Sequence, residues 1–86
     1  MQIGVSYKIL PTKEFESDFY SLNKESRDRI VKRIQEVSEN PIRYKHMKFG
    51  FKGSCRIRIG KLRVIFSYNV QKQEMYLEQI IFGHKY

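Results

Sequence analysis

The alternation of hydrophobic and polar positions predicts one strand and two helices in the first half of the chain. Apolar residues alternate with less apolar ones over residues 5–9, which is typical of a half-buried strand, and Pro11 ends it. Apolar residues then recur at helical spacing over residues 12–22 and again over 24–39, with Asn23 placed to cap the second helix. Because the connection between the helices is short, we expect them to pack as an antiparallel hairpin.

The second half of the chain predicts three strands joined by turns. Residues 55–59 and 62–69 flank the pair Gly60-Lys61, whose glycine suits the first position of a type II′ hairpin turn, and a last strand is predicted over 74–82. The order of elements is therefore β-α-α-β-β-β. We predict an α+β fold in which a mainly antiparallel sheet is packed on one face by the N-terminal helical hairpin. At 86 residues the chain is expected to form a single domain.

Arginine occupies alternate positions on both sides of the predicted turn. Because side chains alternate between the two faces of a strand, Arg56 and Arg58 point away from the face that carries Cys55. The two-residue turn places Arg58 directly opposite Arg63, and such a like-charged pair destabilises a sheet by a few tenths to about 1 kcal/mol. One interpretation is that these arginines form part of an anion site. The other is a solvated basic face on which the long side chains splay apart.

The register of the last strand decides which of its residues share the face of the arginines. A continuous ladder that pairs Asn69 with Glu74 turns Ile81 toward the apolar face, and a bulge would reverse the assignment. The same ladder places these residues on the side of the arginines: Glu78, Ile80, Phe82, His84 and Tyr86. Together with Ile65, the apolar residues Ile80 and Phe82 could then form an exposed patch for a partner segment, unless the chain's own tail covers them.

The net charge of +8 is concentrated in one part of the chain. Residues 41–73 contain nine lysines and arginines and no acidic residue. Such asymmetry indicates a polyanionic partner, of which nucleic acid is the commonest, ahead of an acidic protein or an anionic membrane.

No apolar run reaches the length of a spanning helix and the start lacks the pattern of a secretion signal, so we expect a cytoplasmic protein with no membrane partner.

Metal and disulfide chemistry finds little support in the composition. Cys55 is the single cysteine and lies on the predicted apolar face, which indicates a core residue. His46 and His84 are the two histidines, and with no cysteine pair they make no constellation of metal ligands. We expect neither a metal nor another cofactor.

The predicted hairpin has the sequence Arg56-Ile57-Arg58-Ile59-Gly60-Lys61-Leu62-Arg63-Val64-Ile65-Phe66. With this run and this order of elements, the chain resembles the RelE/ParE toxin superfamily of prokaryotic toxin–antitoxin pairs. The closing Gly83-His84-Lys85-Tyr86 is similar to the end of RelE-type members. The resemblance implies an mRNA interferase, an endoribonuclease that cleaves message in the ribosomal decoding site and is silenced in a hetero-oligomer with a RelB-like antitoxin. The ParE branch shares the fold and is implied to poison DNA gyrase without a nuclease site, so a non-catalytic gyrase poison or an RNA-binding module is the alternative.

Two features depart from the pattern of the superfamily. Many members have an aromatic residue where this chain has Cys55, and many have a spacer residue before the final tyrosine, which here follows His84 and Lys85 directly.

The resemblance and the chemistry of RNA cleavage together define a candidate site. Planar guanidinium groups suit phosphate, so Arg58 and Arg63 are assigned to the scissile phosphate and Arg56 to its neighbourhood. Arginine is a poor acid or base, and His84 is therefore the candidate for proton transfer, unless it only packs at the strand end. Glu78 is expected to neutralise Arg63. The predicted catalytic set is Arg56, Arg58, Arg63, His84, Lys85 and Tyr86, and the predicted RNA-binding set is Lys45, Lys48, Lys52 and Lys61.

Overall fold

Over the described residues, four strands and two helices follow one another in the predicted order β-α-α-β-β-β. The computed structural model describes residues 6–43 and 54–82, without the side chain of Phe82. In chain order the elements are β1 (Lys8–Pro11), α1 (Lys13–Tyr20), α2 (Lys24–Ser38), a 3₁₀ turn (Pro41–Arg43), β2 (Cys55–Ile59), β3 (Leu62–Asn69) and β4 (Glu74–Phe82). This confirms the α+β class. The first strand begins at Lys8 rather than at residue 5, and α1 ends two residues earlier than predicted.

Each helix begins at a side chain that caps it. The Thr12 hydroxyl accepts a hydrogen bond from the backbone N–H of Phe15 at 3.1 Å, and the Asn23 amide oxygen accepts one from the N–H of Ser26 at 2.8 Å. These bonds satisfy backbone donors that the first helical turn leaves unpaired. The predicted cap at Asn23 is confirmed, and it keeps the connection between the two helices short.

The sheet has the order β1-β4-β3-β2, with β1 parallel to β4 and the other pairs antiparallel. Both helices pack on one face, and the core forms between them and the sheet. Its buried members from the helices and the first strand region are Tyr7, Phe15, Ile30, Ile34 and Val37, and from the sheet Cys55, Ile57, Ile59, Leu62, Val64, Phe66, Met75, Leu77 and Ile80. This layering leaves the second face of the sheet available to polar side chains and makes β2 an edge strand.

A β-bulge in β4 corrects the predicted register of the last strand. Phe66 pairs with Leu77 and Ile65 with Gln79, so Glu78 is the extra residue. The Asp18 carboxylate of α1 accepts a hydrogen bond from the N–H of Ile80 at 3.3 Å, just beyond the bulge. Because one extra residue inverts the alternation, the side chains that follow it change faces.

The inversion makes several predictions about β4 wrong. Ile80 lies opposite Val64 and is buried in the core, whereas Ile81 lies opposite Arg63 and is partly exposed. In the backbone register, Phe82 pairs with Leu62, the position that a ladder without a bulge gives to Ile81. The predicted positions of His84 and Tyr86 lie outside the described residues.

The predicted exposed apolar patch is not found on the described part of the sheet. Ile65 does lie on the arginine side, opposite Arg56, but none of its surface is exposed. Ile80 faces the helices. Within residues 6–43 and 54–82, neither helix is long and apolar enough to cross a membrane.

Candidate functional site

The arginines of β2 and β3 meet on the face of the sheet that the helices leave uncovered. Arg58 is directly opposite Arg63, and Arg56 is two residues further along β2, opposite Ile65. The intervening Ile57 pairs with Val64 on the helix side, where both are buried. The predicted separation of a basic from an apolar face is confirmed. Arg56 and Arg58 are exposed, and Arg63 is half-buried.

A tight turn fixes this register. Gly60 has a φ of +60°, and the φ of Lys61 is not positive. This combination is what the predicted type II′ turn requires. Gly60 also lies beneath a side chain of α2, since a Cβ atom there would lie 3.2 Å from the Arg29 guanidinium. Lys61, a predicted RNA-binding residue, is exposed at the tip of the hairpin.

The charges of Arg56 and Arg58 are not neutralised from within the described ranges. Neither side chain has an ion-pair or hydrogen-bond partner there. The ion pairs found in those ranges both lie along α2, at 3.1 Å between Lys24 and Asp28 and at 3.4 Å between Arg33 and Glu36. With respect to the described residues, the face of β2 therefore carries positive charge that no carboxylate pairs with, and an anion could bind there.

Glu78, the bulge residue, connects β4 to β3 and to the residues just before β2 and α1, next to the arginine face. Its two carboxylate oxygens accept hydrogen bonds from the hydroxyls of Ser54 and Ser67, each at 2.8 Å. Its carbonyl oxygen accepts one from the Thr12 hydroxyl at 2.9 Å. Ser54 comes immediately before β2, so these bonds hold the start of the arginine strand. The sequence did not predict these hydroxyl partners, because the bulge that positions the carboxylate leaves no trace in the alternation of residues.

Cys55 is a core residue, as predicted. It is fully buried, and this burial raises the pKa of its thiol, with a further rise from the negative charge of Glu78. The thiol therefore stays protonated at neutral pH and is a poor nucleophile.

Sequence reasoning did not place the basic residues of α2 beside the arginine hairpin. Arg29, Lys32 and Arg33 lie with Arg58 around one groove at the edge of the sheet. A signal for them was present, because positions 29, 32, 33 and 36 share one face of a helix. What the sequence did not show is that this face meets the arginine hairpin.

Six of the predicted site residues lie outside the described ranges. They are Lys45, Lys48, Lys52, His84, Lys85 and Tyr86. Their roles stay predictions. The structure therefore brings together three predicted catalytic residues, Arg56, Arg58 and Arg63, with Lys61 at the nearby turn.

The chain is similar in fold to solved structures of toxins and of toxin–antitoxin complexes. The toxin–antitoxin complex RelBE2 from Mycobacterium tuberculosis contains a chain that matches with a TM-score of 0.82 at 17% identity, covering 95% of this chain and 97% of that one. The isolated RelE toxin of E. coli matches with a TM-score of 0.78 at 15% identity, covering 91% and 85%. A YoeB/ParE toxin from Agrobacterium tumefaciens matches with a TM-score of 0.73 at 16% identity, covering 87% and 96%. At these identities the likeness establishes a shared fold.

The sequence itself carries a family signature. No curated protein shows significant sequence similarity to the chain. The family model of the ParE toxin of type II toxin–antitoxin systems, however, matches residues 9–81, which include both helices and the whole arginine hairpin. The chain therefore belongs to this family within the RelE/ParE superfamily, and the protein is a toxin of a type II toxin–antitoxin system.

Proposed function

We propose that this toxin is a ribosome-dependent endoribonuclease that cleaves mRNA in the decoding site. The observation that carries the proposal is the register of the hairpin, which sets Arg58 directly opposite Arg63 and keeps Arg56 on the same face. Cβ atoms of directly opposed residues are about 4.5–5.5 Å apart, so two long guanidinium side chains can reach one phosphate. Directly opposed like charges repel each other, and a phosphate bound between them would offset that repulsion.

The arrangement suits cleavage by the RNA's own 2′-hydroxyl. In that reaction the 2′-hydroxyl gives its proton to a base as its oxygen forms a bond to the adjacent phosphorus, the bond from phosphorus to the 5′-oxygen breaks, and the 5′-oxygen takes up a proton from an acid. Negative charge grows on the phosphate oxygens in the transition state. Arginine binds such oxygens in a bidentate manner and stays charged at working pH, which makes Arg58 and Arg63 the groups that stabilise this charge.

Proton transfer needs a group that the three arginines do not supply. The arginine guanidinium is a very weak acid and already carries its full set of protons, so it neither takes the 2′-proton nor readily protonates the leaving oxygen near neutral pH. His84 is our candidate for this role. Lys85 is proposed to contact the phosphate, and Tyr86 to stack on a nucleobase. Lys45, Lys48, Lys52 and Lys61 are proposed to contact RNA backbone.

The exposure of two of the arginines supports the involvement of the ribosome. Arg56 and Arg58 are exposed on a sheet face, so much of the rate has to come from how the message is positioned. A ribosome that presents and distorts the message would supply this. We further propose that a RelB-like antitoxin silences the protein in a hetero-oligomer, as the Mycobacterium tuberculosis relative was crystallised as a toxin–antitoxin complex. A ribosomal target implies a cytoplasmic location.

The experiment is primer extension on message bound to ribosomes exposed to the purified protein. We expect breaks in phase with codons. The double variant Arg58→Ala with Arg63→Ala should lose cleavage, because removing even one donor to a developing oxyanion typically costs about 10²–10³ in rate. The double variant Lys13→Ala with Lys72→Ala removes the same charge from exposed sites elsewhere and should keep cleavage.

A gyrase poison is the competing function, favoured by the match to the ParE family model. It predicts intact message and inhibition of DNA supercoiling by gyrase. If growth arrest persists unchanged in the Arg58 and Arg63 double variant while message stays whole, the nuclease proposal is refuted.

A further inference from the structure

A groove runs between α2 and the edge strand β2, next to the arginine face. Its volume is about 300 Å³. It is lined by Arg29, Lys32, Arg33, Glu36, Arg58, Ile59 and Gly60. Arg58 belongs to both surfaces, so the groove continues the arginine face around the edge of the sheet.

The groove is strongly basic. Four of its lining side chains are cations and Glu36 is the sole carboxylate among them. Glu36 lies 3.4 Å from Arg33, whereas Arg29, Lys32 and Arg58 have no ion-pair or hydrogen-bond partner within residues 6–43 and 54–82. Like charges three and four positions apart on a helix repel each other, so Arg29 repels both Lys32 and Arg33, and a bound anion would offset this repulsion.

Arg29 connects the helix to the hairpin. Its guanidinium lies over the turn, 3.2 Å from where a Cβ atom of residue 60 would lie. A glycine at this position therefore provides the positive φ of the turn and also leaves room for the Arg29 side chain. Cationic side chains thus extend from Arg58 across the turn to α2.

We propose that this groove binds the phosphate backbone of an RNA strand and extends the site formed by Arg56, Arg58 and Arg63. The choice of RNA rests on the proposed function. The lining itself favours phosphate over an acidic protein segment, because Ile59 is its one large apolar side chain. Protein segments dock through buried apolar anchors, whereas a phosphate backbone needs cations at intervals.

The test measures binding without cleavage. A fluorescent 12-nucleotide single strand with 2′-O-methyl groups lacks the attacking hydroxyl, and its anisotropy gives the affinity for the full chain at several salt concentrations. Arg29→Gln with Lys32→Gln is the groove variant. Lys13→Gln with Lys72→Gln is the matched control, since both lysines are exposed and neither lines the groove.

We expect the groove variant to bind the RNA about tenfold more weakly. The slope of log affinity against log salt should become shallower by about 1.4, because each of the two lost phosphate contacts contributes about 0.7. The control should change less than twofold. Equal losses in both variants, unchanged affinity in the groove variant, or no binding by the unaltered protein would each overturn the proposal. If the groove variant loses binding to a fluorescent poly-glutamate peptide but keeps its affinity for RNA, the groove would instead be assigned to an acidic protein. Cleavage on ribosomes is scored separately, so groove binding without cleavage refutes the nuclease and leaves this inference standing.

Discussion

Replacing Glu78 by alanine removes the carboxylate that holds the hydroxyls of Ser54 and Ser67. Both hydrogen bonds are 2.8 Å long, one to each carboxylate oxygen. The change leaves the backbone of the bulge in place, but it frees the residue that precedes the arginine strand. Because Ser54 is almost fully buried, its hydroxyl then lacks a partner and has little access to water.

The expected loss follows from the number and kind of these bonds. A hydrogen bond to a charged group contributes about 1.5–3 kcal/mol net, and the partial exposure of Glu78 places each bond near the lower end. Two such bonds give a loss of about 3 kcal/mol in the free energy of unfolding, against a total of about 5–15 kcal/mol for a domain. At roughly 4–8 °C per kcal/mol, the melting temperature should fall by about 12–24 °C.

Urea denaturation of Glu78→Ala, with Gln79→Ala as its control, measures this loss. Gln79 is the neighbouring, partly exposed residue of β4, and it makes no side-chain hydrogen bond within the described ranges. We expect the control to change stability by less than about 0.5 kcal/mol. In a double-mutant cycle, Ser67→Ala should cost little once Glu78 has been replaced. A loss for Glu78→Ala no larger than that of the control would refute the reasoning.

Two further predictions concern the core face of the sheet. Ile80→Ala should lower the free energy of unfolding by about 2–5 kcal/mol, and Ile81→Ala by less than about 1 kcal/mol, because the bulge turns only the former into the core. Equal losses in urea denaturation would contradict this register. The Cys55 thiol should resist iodoacetamide at pH 8 until the protein is unfolded, since burial raises its pKa. The folded state then binds more protons than the unfolded one, so stability should fall as the pH rises above about 8.5, and a Cys55→Ala variant should show a smaller fall.

The arginine face was predictable because it depends on neighbours in sequence. Alternation in a strand has a period of two, so Arg56 and Arg58 share a face whatever the rest of the fold does. A two-residue turn with positive φ at Gly60 then leaves a single register, which opposes Arg58 to Arg63. Helix caps such as Asn23 are local in the same sense.

The α2 groove was only half predictable. The helical period places Arg29, Lys32 and Arg33 on one face, which the sequence shows. That this face meets the hairpin turn at Gly60 depends on how α2 packs across the sheet. Packing of this kind is decided by the shape of the whole core, which no short stretch of sequence encodes.

The sequence by itself determined the element order, the caps, the turn and the pairing of the arginines, because each depends on residues a few positions apart. The tertiary structure alone decided the parity of β4. A single bulge at Glu78 moves Ile80 into the core, where it lies opposite Val64. Just beyond the bulge, the carboxylate of Asp18 in α1 accepts a hydrogen bond from the backbone N–H of Ile80. Those contacts join residues far apart in the chain, so the energy that favours the bulge exists only once helix and sheet have come together.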